Sequence, residues 1–420
     1  MAESRLSELA HAAGQAANAG RWQEAEQLWH TVLQAEPQHP QALFSLGIHA
    51  LQRGDIRRSH ELLVAARAGA PRDLLVLLTL SSACRQAGDS AGEREALEAA
   101  LAIDAYYLPA LLVKGSWLER FGTPLSAAAT YASSLKIAPS PEYWPETLRP
   151  QLERARAVVD RHVASLHAHL TKELVALQSA LPGTVQARWR EATSIMAGKS
   201  KPFLSDSNQL CVPRLPAIPF FDRGEFPWVP ALEARTDVIR AELRAALQNA
   251  GDQFDPYIAY NPGEPVNQWQ ELNHSTRWSA FHLWRGGIRV EENLARCPET
   301  AQALAEVQLA EIAGLCPNAL FSALAPRTRI PPHHGETNAR LVAHLPLVVP
   351  EGCSYRVGFD ELRWKVGEII VFDDTIEHEA RNDSDELRVV LIFDVWNPAL
   401  LPAEREMVRA MTIAARTFGR

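Results

Sequence analysis

The chain is predicted to be multidomain, with an all-α repeat solenoid at its N-terminal end and a β-rich domain at its C-terminal end. Three observations support this fold class. A period of 34 residues runs as far as Pro139, a long helical pattern follows it, and short apolar runs separated by turn residues fill the last part of the 420-residue chain. The predicted boundaries are 1–140 for the repeats, 141–200 for a helical cap and linker, and 201–420 for the second domain.

The 34-residue period appears in residues of three kinds. It relates the glycines Gly20, Gly54, Gly88 and Gly122, the residues Pro37, Pro71, Ala105 and Pro139, and the bulky side chains Trp29, Leu63, Leu97 and Tyr131. Small residues recur at Ala25, Ser59 and Ala127, whereas Glu93 breaks that series. A repeat of this length with a central glycine turn resembles the tetratricopeptide repeat. The resemblance implies a concave groove for a protein or peptide partner. A solubilising or dimerising arm is the alternative.

Composition narrows the class of protein. With 47% hydrophobic and 22% charged residues the chain is typical of soluble globular proteins. A net charge of −8 without a basic block argues against a nucleic-acid partner. The sequence has no apolar run of membrane-spanning length and no N-terminal signal core, so no membrane span and a cytoplasmic location are expected. The five scattered cysteines form no C-x-x-C pair and are expected to be buried free thiols: Cys84, Cys211, Cys297, Cys316 and Cys353.

Helical spacing over residues 145–180 predicts a long helix that caps the repeats and ends at Leu181-Pro182-Gly183. In the second domain, helices are expected at 236–247 and 300–315. Strands are expected at 277–284, 319–324, 340–349, 353–359, 368–372 and 387–396. Many short strands with few helices favour a jelly roll over a βαβ sheet.

Chemistry is concentrated near the C-terminus. His333 and His378 are 45 positions apart, and Arg388 follows ten residues later within an apolar run. Neutral imidazoles from separate strands suit Fe(II), and the planar guanidinium suits a carboxylate such as that of 2-oxoglutarate. For one histidine alone, a hydrogen-bonded structural role would be the better interpretation.

The stretch around these residues resembles the aspartyl/asparaginyl β-hydroxylase family, which comprises Fe(II)- and 2-oxoglutarate-dependent dioxygenases with a double-stranded β-helix. The matching segments are Pro332-His333-His334-Gly335-Glu336-Thr337-Asn338, Arg340-Leu341-Val342-Ala343-His344-Leu345, Glu351-Gly352-Cys353, Val371-Phe372-Asp373-Asp374, Glu377-His378-Glu379 and Asp394-Val395-Trp396-Asn397-Pro398, with Trp364, Gly367 and Trp278-Ser279 through Leu283-Trp284. The resemblance covers about residues 205–410.

The resemblance implies roles for six residues. His333 and His378 would hold iron, Ser322, His344 and Arg388 would surround the carboxylates of 2-oxoglutarate, and Trp278 would lie near the cosubstrate or substrate. The catalytic set is thus His333, His378 and Arg388. The implied reaction is hydroxylation of the β-carbon of Asp or Asn in a polypeptide that the repeats recruit. A lipid or small-molecule hydroxylase and a non-catalytic repeat scaffold are the alternatives.

The third iron ligand is open in the sequence. Gly335 stands where a facial triad has a carboxylate, and family members are understood to leave that position to water. A rival alignment uses His334 with Glu336, but His333 and His334 cannot ligate from one strand because successive side chains point to opposite faces. A halide at the vacant position is a further possibility.

Five other positions qualify the resemblance. Asp373 or Asp374 could orient a ligand imidazole, or both could belong to a solvated turn. Val342 stands where the animal enzymes carry an arginine thought to grip the substrate carboxylate, and Asn397 replaces a histidine. Arg340 could substitute for the missing arginine or be a structural cation.

Overall fold

The computed structural model describes residues 2–249 and 254–418. The chain divides into two compact units, Met1–Lys201 and Pro202–Arg420. The predicted order, helical repeats followed by an antiparallel β domain, is confirmed. No helix among the described residues is both long enough and apolar enough to span a bilayer.

The first unit begins with four helix pairs. Their helices are α1 (Ala2–Asn18), α2 (Trp22–Ala35), α3 (Pro40–Gln52), α4 (Ile56–Gly69), α5 (Leu74–Ala87), α6 (Ser90–Ile103), α7 (Leu108–Phe121) and α8 (Pro124–Ile137). Each odd-numbered helix packs on the next one. The bulky periodic positions are all buried, from Trp29 to Tyr131. Glu93, which breaks the series of small residues, is buried as well, and its carboxylate accepts from Arg120 at 2.5 Å.

The periodic glycines lie at the turns within the pairs. Gly54 and Gly88 have φ values of +80° and +77°, a conformation that other residues rarely adopt. Gly122 differs because its φ is −103°, and the turn there is followed by a capping box between Thr123 and Ser126. The period is therefore kept even though the fourth turn has another geometry.

The predicted cap is α9 (Arg149–Ser179), a helix of 31 residues that packs on α8. Trp144, Leu152 and Ala155 bury against Leu112 and Tyr131 at the end of the repeats. The helix ends before Pro182, and α10 (Gly183–Met196) packs back against it.

The second unit contains two antiparallel sheets. Its strands are β1 (Asp255–Pro256), β2 (Trp278–Arg285), β3 (Ile288–Arg289), β4 (Ala319–Leu324), β5 (Thr328–His333), β6 (Arg340–Val348), β7 (Cys353–Val357), β8 (Asp360–Leu362), β9 (Ile370–Phe372), β10 (His378–Asn382) and β11 (Arg388–Trp396). The larger sheet has the order β1-β2-β4-β11-β6-β9, with β3 paired to β2, and the smaller has the order β5-β10-β7-β8. The helices are α11 (Val229–Glu233), α12 (Thr236–Asn249), α13 (Glu291–Arg296), α14 (Pro298–Ala305) and α15 (Pro402–Thr417).

Alternation along the strands of the larger sheet builds two cores. On one face, Phe321 and Leu391 pack with Ile239 and Leu243 of α12 and Leu304 of α14. On the other face, residues of this sheet pack with residues of the smaller sheet; the set includes Leu324, Val342, Val390, Tyr355 and Ala380. The second face is the one that carries the functional residues.

Three expectations need correction. The helix expected at 300–315 ends at Ala305, because the chain beyond it runs extended along β11, where Ala310 N donates to Asp394 O. The list of expected strands omitted β5 and β10, the two strands that carry the histidines. Of the five cysteines, Cys211 is exposed whereas the others are buried, because Cys211 lies in an irregular segment outside the cores.

Candidate active site

A cavity of about 390 Å³ lies against the inner face of the larger sheet. Alternation along β4, β6 and β11 points every second side chain into it. All six residues proposed from the sequence line this cavity: Trp278, Ser322, His333, His344, His378 and Arg388. The structure therefore brings together residues that are spread over more than a hundred positions of the chain.

His333 and His378 form the centre of the cavity. They are direct partners across the β5–β10 pair, and their ring centroids are 4.0 Å apart. The Nδ1 of each ring contacts the backbone carbonyl two residues earlier, at 2.8 Å for His333 and 3.0 Å for His378. A carbonyl oxygen can only accept, so Nδ1 carries the proton and Nε2 keeps a lone pair. Burial lowers the pKa of both imidazoles, and each ring is therefore neutral at neutral pH.

The rival pair, His334 and Glu336, also lines the cavity but has other partners. The Nδ1 of His334 donates to Thr375 O at 2.9 Å. The Glu336 carboxylate accepts from Gln209 at 3.1 Å and lies 3.6 Å from Arg340. Neither side chain is paired with His378, so the geometry favours the alignment that uses His333.

The space beside Gly335 is filled by a carboxylate from another segment. A Cβ on Gly335 would lie 2.1 Å from Asp374 Oδ2, and Gly335 N donates to Asp374 O at 2.7 Å. Asp374 is 6% exposed, and its Oδ1 has no hydrogen-bond partner among the described residues. Only glycine at 335 lets this carboxylate approach the histidine strand so closely.

The two aspartates before β10 have different roles. Asp373 accepts from the backbone N–H and the hydroxyl of Thr375, as in a turn, and burial raises its pKa to about 6. Asp374 instead pairs with Arg340 at 2.7 Å. Neither interpretation open in the sequence is met, because Asp373 is 1% exposed and its turn is therefore not solvated, and Asp374 pairs with Arg340 rather than with an imidazole.

Arg388 lies at one end of the cavity, fully buried at 1% exposure. It forms no ion pair with any residue that the structure describes; its contacts are Ser322 O at 3.5 Å and the face of Trp364, whose ring centre is 4.7 Å away. Its Nε has no partner in the same set. Burial lowers the pKa of the guanidinium to about 10. A buried cation without a counter-ion is costly unless a ligand supplies one.

Ser322 and His344 lie near this guanidinium. Ser322 Oγ accepts from Trp278 Nε1 at 3.1 Å, so its own hydroxyl proton remains available for donation. His344 is surrounded by aromatic rings, and its Nδ1 has no partner among the described residues. Burial, and then the charge of Arg388, holds the pKa of His344 well below its usual value. This end of the cavity therefore offers several unused donors.

Arg340 lies in another part of the same cavity with three carboxylates around it. Its guanidinium is 2.7 Å from Asp374, 3.5 Å from Asp394 and 3.6 Å from Glu336. Desolvation alone would lower its pKa, but Asp374 and Asp394 hold it well above the usual value. Val342, buried on the same strand, adds an apolar wall. The three carboxylates around Arg340 favour its interpretation as a structural cation.

Sequence reasoning missed several residues of this site. Asp394 was quoted in a matching segment without a role, yet it accepts from Asn318 N at 2.7 Å and pairs with Arg340. Tyr257 stacks on Trp278 with ring centroids 3.9 Å apart, and Trp269 meets His333 edge-on at 5.0 Å. The two aromatic residues lie in irregular segments, where no spacing identifies them. Asn397 is structural: its amide donates to Asn338 O and its carbonyl caps Ala399.

The N-terminal unit has only weak likeness to solved structures. A tetratricopeptide-repeat protein of Thermus thermophilus matches with 23% identity over 46% of this chain and 99% of that one, at a TM-score of 0.31. That score carries no structural argument, so the assignment of helical repeats depends on the helix pairs themselves.

The C-terminal unit has clear relatives. Human aspartyl/asparaginyl beta-hydroxylase is 34% identical over 192 residues, which are 45% of this chain and 24% of the human protein. The ornithine lipid ester-linked acyl 2-hydroxylase of Rhizobium tropici is 34% identical over 188 residues, 44% of this chain and 63% of that protein. The match thus spans about a quarter of one relative and under two thirds of the other.

The model of the family described as aspartyl/asparaginyl beta-hydroxylase matches residues 233–398, a range that includes both histidines, both buried arginines and every strand from β1 to β11. Residues 233–398 of this chain are therefore a domain of the aspartyl/asparaginyl β-hydroxylase family.

Proposed function

We propose that the chain is an Fe(II)- and 2-oxoglutarate-dependent hydroxylase. The observation that carries this proposal is Arg388, a fully buried guanidinium with no carboxylate partner among the described residues. Burial of a charge without a partner costs several kcal/mol. This is on the order of the stabilisation that a bound carboxylate can contribute. A dicarboxylate cosubstrate supplies the missing partner.

The histidine pair fits iron. Two neutral imidazoles hold their Nε2 lone pairs available, and backbone carbonyls fix each ring through Nδ1. Asp374 stands beside the position that a triad carboxylate would take, with one oxygen unused. His333 and His378 would hold the metal, and Asp374 would accept a hydrogen bond from water there. The same carboxylate would repel a halide at that position.

The residues around Arg388 fit 2-oxoglutarate. Arg388 would bind its distal carboxylate through the planar fork, with Ser322 Oγ as a further donor. His344 presents an unpartnered nitrogen to the same end of the cavity. When bound, iron would activate O2, and 2-oxoglutarate would supply two electrons as it is converted to succinate and CO2, so that one oxygen atom could enter an unactivated C–H bond.

The protein's own contribution is placement and exclusion of water. Tyr257, stacked on Trp278, and Trp269, edge-on to His333, cover the cavity on the side of the histidines. The aromatic rings around His344 keep the cosubstrate end dry. In such surroundings the hydrogen bonds of Arg388 and Ser322 are stronger than in water.

The substrate end favours an uncharged group at the reacting carbon. We keep the β-carbon of Asp or Asn in a polypeptide recruited by the repeats as the first candidate. Arg340 is already neutralised by Asp374 and Asp394, and Val342 is apolar, so an Asn amide fits better than an Asp carboxylate. An acyl chain is the second candidate, because Leu320, Ile392 and Val342 make the adjoining wall apolar.

Two measurements test the proposed reaction. Calorimetric titration of the Fe(II)-loaded chain with 2-oxoglutarate under anaerobic conditions should show binding that is lost in His333→Ala with His378→Ala. Succinate should form when the loaded chain is given O2 with Asn-containing peptides or acyl-lipid vesicles. Absence of both 2-oxoglutarate binding and succinate would exclude the proposal. If both are observed, mass spectrometry of host proteins would identify a polypeptide substrate. The substrate should carry one additional oxygen atom in the wild-type host and should lack it when this protein is deleted.

A further inference from the structure

A second set of metal-ligating side chains lies in the repeats of the first unit. His60 on α4, Cys84 near the end of α5 and Asp89 just before α6 place one imidazole nitrogen, one sulfur and one carboxylate oxygen within 4.8 Å of one another. We propose that His60, Cys84 and Asp89 bind a divalent zinc-like ion that ties together three helices of the second and third repeats.

The ligand types suit Zn²⁺. Thiolate sulfur, imidazole nitrogen and carboxylate oxygen are its usual protein ligands, and three of them leave a fourth tetrahedral position for water. Ligand atoms of a tetrahedral zinc site are about 3.3–3.8 Å apart, so the side chains need to close by at most about 1.5 Å. His60 and Asp89 are partly exposed and can make that adjustment, whereas the buried Cys84 would stay fixed.

The three ligand atoms are not used up by other contacts. His60 makes no hydrogen bond with any residue that the structure describes. Asp89 uses Oδ1 to cap α6 through Gly92 N at 2.9 Å. A Cβ on Gly92 would lie 2.3 Å from Asp89 Oδ2 and 3.0 Å from Cys84 Sγ. The thiol and the second carboxylate oxygen therefore meet at one place, which a glycine leaves free of side-chain atoms.

The surrounding charges favour a cation. Burial first, and then the carboxylates of Asp89 and Glu93, raise the pKa of the Cys84 thiol to about 11. Glu93 is fully buried, and its Oε2 has no hydrogen-bond partner among the described residues. The carboxylates of Asp89 and Glu93 repel a Cys84 thiolate but attract a metal cation. Binding of the cation would therefore stabilise the thiolate and release the thiol proton.

A thiolate ligand makes this site distinguishable from the iron site. Among the residues that the structure describes, no cysteine lines the cavity of His333 and His378. If the metal-stripped full chain is titrated with Co²⁺, the proposed site should give a near-ultraviolet thiolate-to-cobalt absorption band that saturates at one ion per chain and is displaced by Zn²⁺. His333→Ala should leave this band unchanged.

Cys84→Ser should abolish the band, and Cys211→Ser, which changes an exposed thiol, should retain it. Asp89→Asn covers the case in which Cys84→Ser does not fold, because asparagine caps a helix as well as aspartate does. It should weaken Co²⁺ binding by about tenfold or more, as expected for loss of a charged ligand. A wild-type chain without the band, or a band that survives in Cys84→Ser or keeps full affinity in Asp89→Asn, would overturn the proposal.

Discussion

Two buried arginines line the same cavity of the second unit, and their surroundings differ. Arg388 is 1% exposed and pairs with no carboxylate that the structure describes, whereas Arg340 is 5% exposed and lies within 3.6 Å of three carboxylates. The pKa values move in opposite directions: burial lowers that of Arg388 to about 10, and the carboxylates hold that of Arg340 well above its usual value despite burial.

The difference separates a binding site from a structural cluster. Removing one member of a buried ion pair leaves the other charge uncompensated, so Arg340 is needed by Asp374 and Asp394. Arg388 compensates no carboxylate among the described residues, and its position at the cavity wall is that expected of a ligand site. By the same reasoning, Arg340 is not expected to bind a substrate carboxylate, since its charge is already balanced.

The largest expected effect is on cosubstrate binding by Arg388. Arg388→Met should weaken 2-oxoglutarate binding by about 100-fold or more, because loss of a buried charged partner costs about 2–5 kcal/mol. The midpoint of thermal unfolding without ligand should stay the same or rise, since an unpaired buried cation is removed. Calorimetry and thermal denaturation measure the two quantities.

Arg388→Lys is the matched control, because it keeps the charge but loses the fork. It should bind with intermediate affinity. Full affinity in Arg388→Met would contradict the assignment of this end of the cavity.

Substitution of Arg340 by methionine should lower the stability of the fold, in contrast to Arg388→Met. Arg340→Met leaves Asp374 and Asp394 buried without their cation and should lower the free energy of unfolding by about 3–5 kcal/mol. Urea denaturation of Arg340→Met and Arg388→Met side by side tests the comparison directly. Equal stability of the two variants would show that the carboxylates around Arg340 do not depend on it.

The contrast between Arg388 and Arg340 could not be predicted from the sequence, for a physical reason. The period of 34 residues predicts the repeats, because each helix pair is local and its turn needs a residue such as Gly88. Four of the six site residues stand in short matching segments, whereas Arg388 was found in an apolar run and Ser322 only through the resemblance. The partners of Arg340, however, are 34 and 54 positions away at Asp374 and Asp394, and only the folded sheet brings them together.

Local chemistry explains the other failures. Pro331 and Pro332 argue against a strand, yet β5 is at the edge of its sheet, where missing N–H groups are tolerated. The apolar spacing from Thr300 predicts a long helix, but the later apolar residues, such as Ile312, bury beside Trp396 in extended chain. In both places tertiary packing outweighs the local preference.

A smaller effect is expected at Gly335, which lies against the Asp374 carboxylate that pairs with Arg340. Gly335→Ala would place a methyl group 2.1–2.4 Å from the atoms of the Asp374 carboxylate, which Arg340 holds in place. Displacement of that carboxylate should lower Fe(II) affinity by about 10- to 100-fold, the usual range for loss of an outer partner of a metal site. Equilibrium dialysis with Fe(II) under anaerobic conditions measures it. Asp374→Ala alone removes the carboxylate and leaves position 335 unchanged. If Gly335→Ala and Asp374→Ala lose affinity equally, loss of the carboxylate accounts for the effect; if Gly335→Ala binds normally, the close approach has no function.

The smallest effect is the pH dependence of 2-oxoglutarate binding. The pKa of Arg388 in the free protein is lowered to about 10, and the dianion binds the protonated form. Affinity should therefore be flat below about pH 9, fall about twofold by pH 10 and continue to fall above it, as the free guanidinium loses its proton. Calorimetry from about pH 8 to pH 10.5, with unfolding temperatures recorded at each pH, separates this titration from denaturation. Arg388→Met should show its weak binding without this fall, because the titrating group is gone. Arg340 cannot produce the fall, since its carboxylates keep it charged throughout the range. A wild-type affinity that is constant to pH 10.5 would mean that Arg388 is not the desolvated, unpaired cation on which the contrast depends.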